Sequence, residues 1–382
     1  MGKKKKVRVK FRKNRNKQAR RPDLTREVLV EGSNVEDLPG EERVSGRSEI
    51  ARYRTIITDA DDVNVEDGDH VLRAVDESEC LHGRVLSARG ADCLVEADDG
   101  RRFECAVRRV LRTLAREART AVVAGDRVLF RPVVGTQGVV ERVNPRHGML
   151  SRMVRGRRHI LVANVDQVLI VGSAADPALK TNLIDRYLIS AELGELRPII
   201  CINKVDLVAP EELAPIADVY RGLGYTVLLA SASTGTGIEE LRHLLQGRET
   251  VVSGQSGVGK SSLLNAMQPG LRLRTATVSI DSRKGRHTTT SANLIKLEFG
   301  GWVVDTPGIR QMELADVASD DIAGYFPDFR PHLPHCRFPN CTHSHESDCA
   351  VKLAVEQDEI APWRYESYLR LISGEPMPTD EE

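Results

Sequence analysis

The sequence contains few aromatic residues and no apolar stretch long enough to cross a bilayer. Phe, Trp and Tyr together make up 4% of its 382 residues. An apolar run at residues 160–171 is broken by Asn164 and Asp166, so it falls short of the roughly 20 apolar residues that a membrane-spanning helix needs. The amino-terminal residues do not form an export signal either. We therefore expect a soluble, cytoplasmic protein whose seven cysteines are reduced and serve the core or a metal.

The formal net charge of zero conceals a separation of charge along the chain. Residues 1–21 carry seven lysines and five arginines but no acid, so the remaining residues must total −12. Such a basic arm would gain affinity for nucleic acid by displacing counterions from its phosphates. Alternatively, it is a solubilising tail that folds back on the acidic body. Because residues 22–75 are acidic and poor in aromatics, residues 1–75 are predicted to be a basic and then acidic extension that is mostly disordered.

Residues 76–150 show short alternating apolar patterns separated by turn residues, which is typical of small β-barrels. Residues 93–97 and 102–107 predict one hairpin, and a five-stranded barrel of the OB-fold type fits the segment. Its basic residues form either an RNA-binding face or an ordinary charged surface. Because aromatics for base stacking are few, chiefly Phe103 and Phe130, backbone and shape contacts are expected to dominate RNA binding. The arginines concerned are Arg101, Arg102, Arg108, Arg109, Arg112, Arg116 and Arg119.

Residues 155–320 alternate strand and helix patterns in the way that a doubly wound α/β sheet requires. The predicted strands are residues 168–171, 198–202, 225–230, 249–253, 293–299 and 302–304. The predicted helices, which have apolar positions at helical spacing, are residues 181–193, 211–223, 238–245 and 260–267. The fold class expected is therefore multidomain, with an α/β domain after an all-β barrel.

A glycine-rich loop links the predicted strand at residues 249–253 to the helix that begins at Lys260. Its G-x-x-x-x-G-K-S spacing lets successive backbone N–H groups converge on one concavity at the positive end of the helix, where a polyphosphate fits. Lys260 would reach the outer phosphates, and the Ser261 hydroxyl would ligate Mg²⁺. The alternative is a glycine-rich turn that caps the helix. The candidate phosphate-binding residues are Gly254, Gln255, Ser256, Gly257, Val258, Gly259, Lys260, Ser261 and Ser262.

Two polar segments that follow apolar strands predict a guanine site. The first contains Asn203, Lys204 and Asp206. The second begins with Ser231 and Ala232 and is included because it resembles the short Ser-Ala loop that completes guanine recognition in GTPases. The carboxylate of Asp206 can accept hydrogen bonds from the ring N–H and the exocyclic amine of guanine, a donor pair that adenine lacks, so GTP is favoured over ATP. Asn203 would brace neighbouring loops, and the stem of Lys204 would lie over the base. Taken alone, the first segment is a common surface turn and the second a helix N-cap.

A third polar segment, Asp-Thr-Pro-Gly at residues 305–308, closes another predicted strand. Asp305 can hold a magnesium-bound water, and the Gly308 N–H can meet the terminal phosphate. The next residue is Ile309, where Ras-like enzymes carry a glutamine that positions water. Since isoleucine cannot orient a nucleophile, intrinsic hydrolysis is expected to be slow or to be assisted from elsewhere.

That assistance is expected from the polar stretch at residues 285–290, which reads Gly-Arg-His-Thr-Thr-Thr. Either Thr288 or Thr289 would complete the Mg²⁺ shell, and His287 could position water. Spacing alone cannot prove this role, so the alternative that His287 is a solvated loop histidine stays open. The candidate catalytic residues are His287, Lys260, Thr288, Thr289, Asp305 and Gly308, with Ser261 and Thr289 as magnesium ligands.

Three cysteines and one histidine further along have the spacing of a metal site. Three thiolates and one imidazole are enough to close a tetrahedral structural Zn²⁺ site, although a disulfide or free thiols are alternatives, as are His335 and His345 as ligands. Bound metal would supply folding free energy for residues 321–382, a segment that includes two predicted helices, at 351–355 and 363–372. The candidate ligands are Cys336, Cys341, His343 and Cys349. The cysteines expected in the core are Cys80, Cys93, Cys105 and Cys201.

The nucleotide segments occur in a rotated order, with Asn-Lys-x-Asp before the phosphate loop and Asp-Thr-Pro-Gly after it. In this order, in residues 182–188 (NLIDRYL), in the Gly-Arg-His-Thr-Thr-Thr stretch and in the cysteine cluster, the chain resembles the circularly permuted GTPases that assist small ribosomal subunit assembly, the RsgA type. The resemblance covers about residues 80–365. It implies a GTPase between an RNA-binding OB-fold and a small zinc domain, acting on the small ribosomal subunit through its rRNA. It also favours His343 as the fourth zinc ligand.

Three functional classes follow. The first is a monomeric, Mg²⁺-dependent GTP hydrolase. The small subunit would stimulate its activity, and hydrolysis would release the enzyme from the subunit. The second is a nucleotide-gated RNA-binding module with negligible hydrolysis, which Ile309 favours. The third, an ATP-dependent kinase or ligase, is disfavoured by Asp206. In the first class, γ-phosphate contacts at Gly308 would shift residues 309–328 and reorient the zinc domain.

Overall fold

The computed structural model describes residues 4–10, 53–59, 75–108, 111, 121–153, 158–271, 273, 292–305 and 319–373. Some sequence predictions fall outside these ranges. They concern the rest of the extension, four arginines of the barrel face and most of the two switch segments, namely Arg109, Arg112, Arg116, Arg119, His287, Thr288, Thr289, Gly308 and Ile309.

Two strands in the amino-terminal extension pair with each other. β1 (Lys4–Lys10) runs antiparallel to β2 (Tyr53–Asp59), with Lys4 opposite Asp59. The sequence predicts a mostly disordered extension, and this pairing departs from that prediction. Both segments contain valine, isoleucine or threonine, and the preference of these residues for extended backbone was concealed by the surrounding charge pattern.

Five strands form a closed barrel, as the sequence predicts. They are β3 (Leu81–Arg89), β4 (Asp92–Ala97), β5 (Arg102–Val107), β6 (Arg127–Pro132) and β7 (Gln137–Val143). The strand order is β3-β4-β5-β7-β6, and β6 pairs back with β3, which closes the barrel. Apolar side chains from all five strands fill the interior, among them Val85, Val95, Phe103, Phe130 and Val140.

The three described arginines of the predicted basic face each form an ion pair with a neighbouring acid. The pairs are Arg101 with Asp99, Arg102 with Glu96 and Arg108 with Glu141. Their positive charge is therefore partly neutralised, so the surface around them is less basic than the number of arginines indicates.

A hairpin follows the barrel in the chain and precedes the central sheet. Its strands are β8 (Met149–Met153) and β9 (Arg158–Ala163). The hairpin is held against the segment that leads into β6. The side-chain amide of Asn164, just after β9, donates to the Gly125 carbonyl at 3.1 Å. The barrel is thus attached to the following domain by buried hydrogen bonds as well as by the chain itself.

The central sheet has six strands, five of them parallel. They are β10 (Gln167–Ser173), β11 (Arg197–Asn203), β12 (Thr226–Leu229), β13 (Glu249–Ser253), β14 (Asn293–Lys296) and β15 (Trp302–Asp305). The order is β12-β11-β10-β13-β15-β14, with β14 antiparallel to β15. On its other edge β14 meets barrel strand β3, where Asn293 lies opposite Ser87. The barrel therefore continues the central sheet directly.

Helices cover both faces of this sheet. They are α1 (Thr181–Leu193), α2 (Pro210–Gly222), α3 (Ile238–Leu245) and α4 (Lys260–Met267). One apolar core joins α1 and α2 to the sheet and includes Ile184, Leu188 and Tyr220. A second core joins α3 and α4 to the opposite face and includes Leu241 and Leu263. This is the doubly wound arrangement predicted from the sequence.

Three of the four cysteines expected in the core lie there. Cys93 and Cys105 are buried in the barrel, and Cys201 is buried in β11. Cys80 is only partly buried, because it precedes β3 and lies outside the barrel interior.

The carboxyl-terminal unit spans residues 319–373 and packs on helix α1. It contains α5 (Ala350–Glu356) and α6 (Pro362–Ser373). Its small core includes the rings of Phe326, Phe329 and Tyr368, with the Phe329 and Tyr368 centroids 5.1 Å apart. Within the ranges described, none of the helices has the length and apolar character needed to cross a bilayer.

Candidate functional site

The phosphate loop adopts a backbone path that requires glycine. Gly254, Gly257 and Gly259 have φ angles of 145°, 83° and 92°, which side chains strongly disfavour. A Cβ on Gly254 would lie 2.2 Å from the Val171 carbonyl oxygen, and one on Gly259 would lie 2.3 Å from Nδ2 of Asn203. The loop is therefore held tightly against β10, which contains Val171, and against the end of β11, where Asn203 lies.

Lys260 places its charge inside this loop. Its ammonium group donates to the carbonyl oxygens of Gly254 and Gln255, each at 2.6 Å. Ser261 follows in the first turn of α4, where the partial positive charge of a helix amino terminus lies. A lysine and a hydroxyl at the amino terminus of a helix that follows a glycine-rich loop form a site suited to a polyphosphate and its cation.

Asn203 ties three loops together at the end of β11. Its Nδ2 donates to the Val258 carbonyl in the phosphate loop at 2.8 Å, and its Oδ1 accepts from the Ala232 N–H at 3.3 Å. The side chain is 1% exposed, so the two hydrogen bonds satisfy groups that would be costly to bury alone.

Lys204 and Asp206 lie beside Asn203 in the same turn. Lys204 has a left-handed backbone with a φ angle of 63° and donates to the Asp176 carbonyl. Asp206 is exposed, and its carboxylate accepts from the Ser233 hydroxyl at 3.0 Å. Hydrogen bonds from Ser231 and Ser233 hold the pKa of Asp206 below its ordinary value. The group is thus an ionised acceptor at neutral pH, which suits the donor pair of guanine.

Sequence reasoning missed the loop between β10 and α1 and one side chain of α1. A Cβ on Gly257 would lie 3.6 Å from Pro177, which places that proline beside the phosphate loop. Tyr187 is 1% exposed and lies near Ser253 and the Gly254 backbone, where burial raises the pKa of its hydroxyl. The loop could have been found from its position after the carboxyl end of a parallel strand. Tyr187 lies in the NLIDRYL stretch that carries the family resemblance, but neither that stretch nor its apolar helical pattern indicated a position beside the phosphate loop.

Asp305 lies at the carboxyl end of β15, which neighbours the strand that leads into the phosphate loop. Val304 pairs with Val251 across these two parallel strands. The ends of β11, β12, β13 and β15 therefore share one edge of the sheet. The two segments predicted to bind guanine (residues 203–206 and 231–232), the phosphate loop and Asp305 all lie at this edge, although they occur in rotated order along the chain.

Comparisons with known proteins bear directly on this arrangement. The profile of the RsgA GTPase family matches residues 143–315. A protein of Chlorobaculum tepidum named small ribosomal subunit biogenesis GTPase RsgA is 42% identical over 308 residues, covering 78% of this chain and 98% of its own. The chain belongs to the RsgA GTPase family. It is a GTP-hydrolysing enzyme.

Further RsgA relatives agree with the assignment. The protein of the same name from Moorella thermoacetica is 42% identical over 293 residues, covering 77% of this chain and 97% of its own. The crystal structure of YjeQ from Thermotoga maritima matches with a TM-score of 0.62 at 38% identity, over 77% of this chain and 98% of that one. YloQ, described as a circularly permuted GTPase, matches with a TM-score of 0.58 at 30% identity, over 79% of this chain and 97% of that one.

The predicted metal ligands converge in the carboxyl-terminal unit. One ligand atom from each of Cys336, Cys341, His343 and Cys349 lies within 4.8 Å of the others. Nδ1 of His343 is 3.4 Å from the sulfur atoms of both Cys336 and Cys349. Three thiolates and one imidazole are the donors that tetrahedral zinc prefers, so the cluster is consistent with a zinc site. His335 and His345, the alternative ligands, are not part of the cluster.

Hydrogen bonds hold the backbone around this cluster. The hydroxyl of Tyr365 donates to the His343 carbonyl, and that of Tyr368 donates to the Thr342 carbonyl, both at 2.7 Å. Glu346 accepts from the Thr342 and Ser344 N–H groups. Burial opposes the charge of Glu346, but these hydrogen bonds outweigh it and lower its pKa to about 2. The ligand loop is thus braced by α6 on one side and by its own carboxylate on the other.

Proposed function

We propose that this RsgA family member hydrolyses GTP during late assembly of the small ribosomal subunit, that the subunit stimulates hydrolysis, and that hydrolysis drives release. The proposal depends on one observation, the convergence of the guanine segments and the phosphate loop through Asn203. Relatives whose alignments cover over three quarters of this chain are named small ribosomal subunit biogenesis GTPases. These names support the small ribosomal subunit as the partner.

The residues of the site would divide the chemistry among them. Backbone N–H groups of the phosphate loop and Lys260 would bind the β- and γ-phosphates, and the carboxylate of Asp206 would select guanine. Ser261, together with Thr288 or Thr289, would ligate Mg²⁺, which when bound neutralises charge on the phosphates. The remaining contacts proposed are those of Asn203, Lys204, Ser231, Ala232, Gly254, Gln255, Ser256, Gly257, Val258, Gly259, Ser262, Asp305 and Gly308.

His287 is proposed to orient the attacking water. Ile309 stands where Ras-like enzymes use a glutamine, so another polar group is needed for efficient hydrolysis. GTP turnover with and without purified small subunits tests this role. We expect subunits to raise turnover about tenfold or more, and His287→Ala to remove most of that increase while GDP still binds. His243→Ala, an exposed histidine on α3 that pairs with Glu239, is the control and should behave like the wild type.

A second candidate function for this GTPase is a nucleotide-gated RNA-binding module with negligible intrinsic hydrolysis. Ile309 favours it, because the residue cannot orient water. Turnover that stays at background with subunits present, together with nucleotide-dependent subunit binding, would support this alternative and contradict the first.

The partner is proposed to be the rRNA of the small subunit, bound by a cytoplasmic monomer. The proposed domains are a basic and acidic extension (1–75), an RNA-binding barrel (76–150), the GTPase domain (155–320) and the zinc domain (321–382). Sedimentation with purified small subunits in GTP, GDP or a nonhydrolysable analogue tests partner and gating together. We expect co-sedimentation with the analogue and release with GDP, and equal binding in both states would contradict gating by nucleotide.

The cysteine cluster is proposed to hold one structural zinc ion, since four protein ligands leave no open coordination position. Metal analysis should find about one zinc per chain. Cys349→Ser should lower this content and the folding stability of residues 321–382. Cys80→Ser, at a partly buried cysteine outside the cluster, should leave the zinc content unchanged.

A further inference from the structure

Arg364 is a fully buried cation that joins the carboxyl-terminal unit to the GTPase domain. It lies on α6 and is 1% exposed. Its Nη1 donates to Asp185 on helix α1. Its Nη2 and Nε donate to the two carboxylate oxygens of Asp328, at 2.7 and 3.0 Å. One guanidinium thus bridges carboxylates from two different parts of the chain.

The surroundings of this bridge make it costly to break. The Phe326 ring centroid lies 4.5 Å from the Arg364 guanidinium, and the Tyr220 hydroxyl donates to Asp185 at 2.8 Å. Removing the cation would leave two carboxylates that are at most 7% exposed without their shared partner. Helices α6 and α1 are therefore expected to move as one body while the bridge is intact.

Helix α6 contains Arg364 and also contacts the loop of the proposed zinc ligands. The Tyr365 and Tyr368 hydroxyls hold the carbonyls of His343 and Thr342. Since Tyr365 directly follows Arg364 and Tyr368 lies one turn further on, any change in the ligand loop acts on the same helix turn that binds Asp185.

Helix α1 borders the nucleotide site. Leu183 and Tyr187, on either side of Asp185, line the same small cavity as Gln255 and Val258 of the phosphate loop. The loop that enters α1 provides the Asp176 carbonyl to which Lys204 donates. The position of α1 thus affects both the phosphate loop and the guanine segment.

We propose that Arg364 couples the zinc cluster to the nucleotide site through helices α6 and α1, so that zinc and guanine nucleotide each favour binding of the other. This inference rests on the zinc and GTP sites of the proposed function. Arg364 acts as a positioning residue, because it touches neither ligand site and works through Asp185.

The coupling is measured as a pair of affinities. A fluorescent GDP analogue is titrated into the zinc-loaded full-length protein and into protein stripped with a chelator. Zinc affinity is measured with and without GDP from the equilibrium distribution of zinc between the protein and a colorimetric chelator. We expect zinc removal to weaken GDP binding about tenfold, and GDP to strengthen zinc retention by the same factor, because linkage is reciprocal.

Substitutions assign the coupling to the bridge. The coupling factor is the ratio of GDP dissociation constants in the stripped and the zinc-loaded protein. In Arg364→Met both ligands should still bind, but this factor should fall to near one. Arg364→Lys keeps the charge and loses the forked geometry, so it should give an intermediate factor. Arg330→Met is the matched control. Arg330 also pairs with an α1 residue, Glu192, at 2.7 Å, but both side chains are nearly half exposed, so this variant should keep the full factor.

Two results would overturn the inference, namely unchanged GDP affinity in the stripped wild type or a full coupling factor in Arg364→Met. Should Arg364→Met fail to fold, Asp185→Asn decides, since it keeps the side-chain shape and removes the charge. Failure of the wild type to bind GDP or zinc at all would instead contradict the proposed function, so the two failures are distinguishable.

Discussion

At the residue scale, we propose that guanine selection depends on the exposed carboxylate of Asp206, which two serine hydroxyls hold. Asp206→Asn replaces an acceptor-only group with an amide whose NH₂ faces the exocyclic amine of guanine. We expect GDP affinity to fall roughly 10- to 100-fold. Affinity for xanthosine diphosphate should rise, because xanthine carries a carbonyl oxygen in place of that amine. Nucleotide titration by calorimetry measures both changes.

The matched control for this substitution is Asp218→Asn. Asp218 is an exposed acid on α2 that pairs with Arg221 on the same helix, so the variant makes the same change of charge away from the site. It should leave both affinities unchanged. A loss of GDP affinity in Asp206→Asn without any gain for the xanthine nucleotide would contradict direct base recognition.

The second prediction at this scale concerns Gly259. An alanine there would bring Cβ within 2.3 Å of the Asn203 amide at a φ angle of 92°. Asn203 would have to give up its hydrogen bond to Val258. We expect about 1–3 kcal/mol of lost stability and a loss of GDP affinity, measured by urea unfolding and nucleotide titration.

Gly222→Ala is the control for the glycine substitution. Gly222 is the last residue of α2, and a Cβ there would meet no atom within 4 Å. This variant should be neutral or more stable by at most about 1 kcal/mol, because alanine favours helix. Equal effects of the two substitutions would contradict a steric requirement in the phosphate loop.

The side chains that could be predicted from the sequence are those with a chemical motif. Lys260, Asn203 and Asp206 belong to spaced motifs whose roles follow from phosphate and guanine chemistry. Pro177 belongs to none, and Tyr187 belongs only to the NLIDRYL stretch, from which no chemical role follows. The positions of both beside the phosphate loop depend on how β10 and α1 pack. Such packing is set by tertiary contacts that a single sequence does not encode in a local pattern.

At the scale of elements, a largely buried ion pair lies at the contact between the barrel and the central sheet. Glu249 begins β13 and accepts from Arg84 of β3, whose guanidinium lies 5.0 Å from the Trp302 ring centroid. Side-chain exposure is 5% for Arg84 and 17% for Glu249. Breaking this pair leaves a largely buried cation without its partner, which is more costly than losing a surface pair.

We therefore predict that Glu249→Gln lowers the free energy of unfolding by about 1–3 kcal/mol. Urea unfolding followed by circular dichroism provides the measurement. Glu239→Gln, at a 71% exposed glutamate on α3, should change stability by less than about 0.5 kcal/mol. Wild-type stability in Glu249→Gln would show that the β14–β3 contact alone holds the barrel to the central sheet.

Element bounds were predictable where periodicity was strong. Helices α1, α3 and α4 begin and end at the predicted residues, and α2 is displaced by one residue at each end. The pairing of β1 with β2 was not predictable, because 42 residues separate the two strands and the composition of β1 is dominated by charge. Long-range pairing of this kind depends on contacts between distant segments rather than on local propensity.

At the scale of the whole molecule, the permuted order and the three-part architecture could be predicted from motifs, but the docking of the parts could not. Arg364 and Asp185 lie 179 residues apart, and no spacing rule connects them. The sequence predicts a zinc domain that nucleotide contacts reorient. The buried bridge places a constraint on that motion, because the domain is fixed to α1 unless the bridge opens.

The basic extension provides the last prediction, which concerns the charge of the entire chain. RsgA relatives are covered almost completely by about three quarters of this chain, so the chain has additional length, and we expect residues 1–75 to account for much of it. The twelve cations of residues 1–21 would displace counterions from rRNA, whereas the rest of the chain is acidic. Deleting residues 1–21 should therefore weaken binding to small subunits and flatten its salt dependence.

Sedimentation at several salt concentrations between about 50 and about 200 mM measures this slope. We expect the logarithmic slope to fall by roughly several units, since each neutralised phosphate contributes about 0.7–0.9. A full-length variant with Lys3, Lys4, Lys5 and Lys6 changed to Gln keeps the length and should give an intermediate slope. GTP turnover without subunits should not change in either variant, because none of the proposed site residues lies in the extension. An unchanged slope after deletion would favour the alternative that the arm folds back on the acidic body.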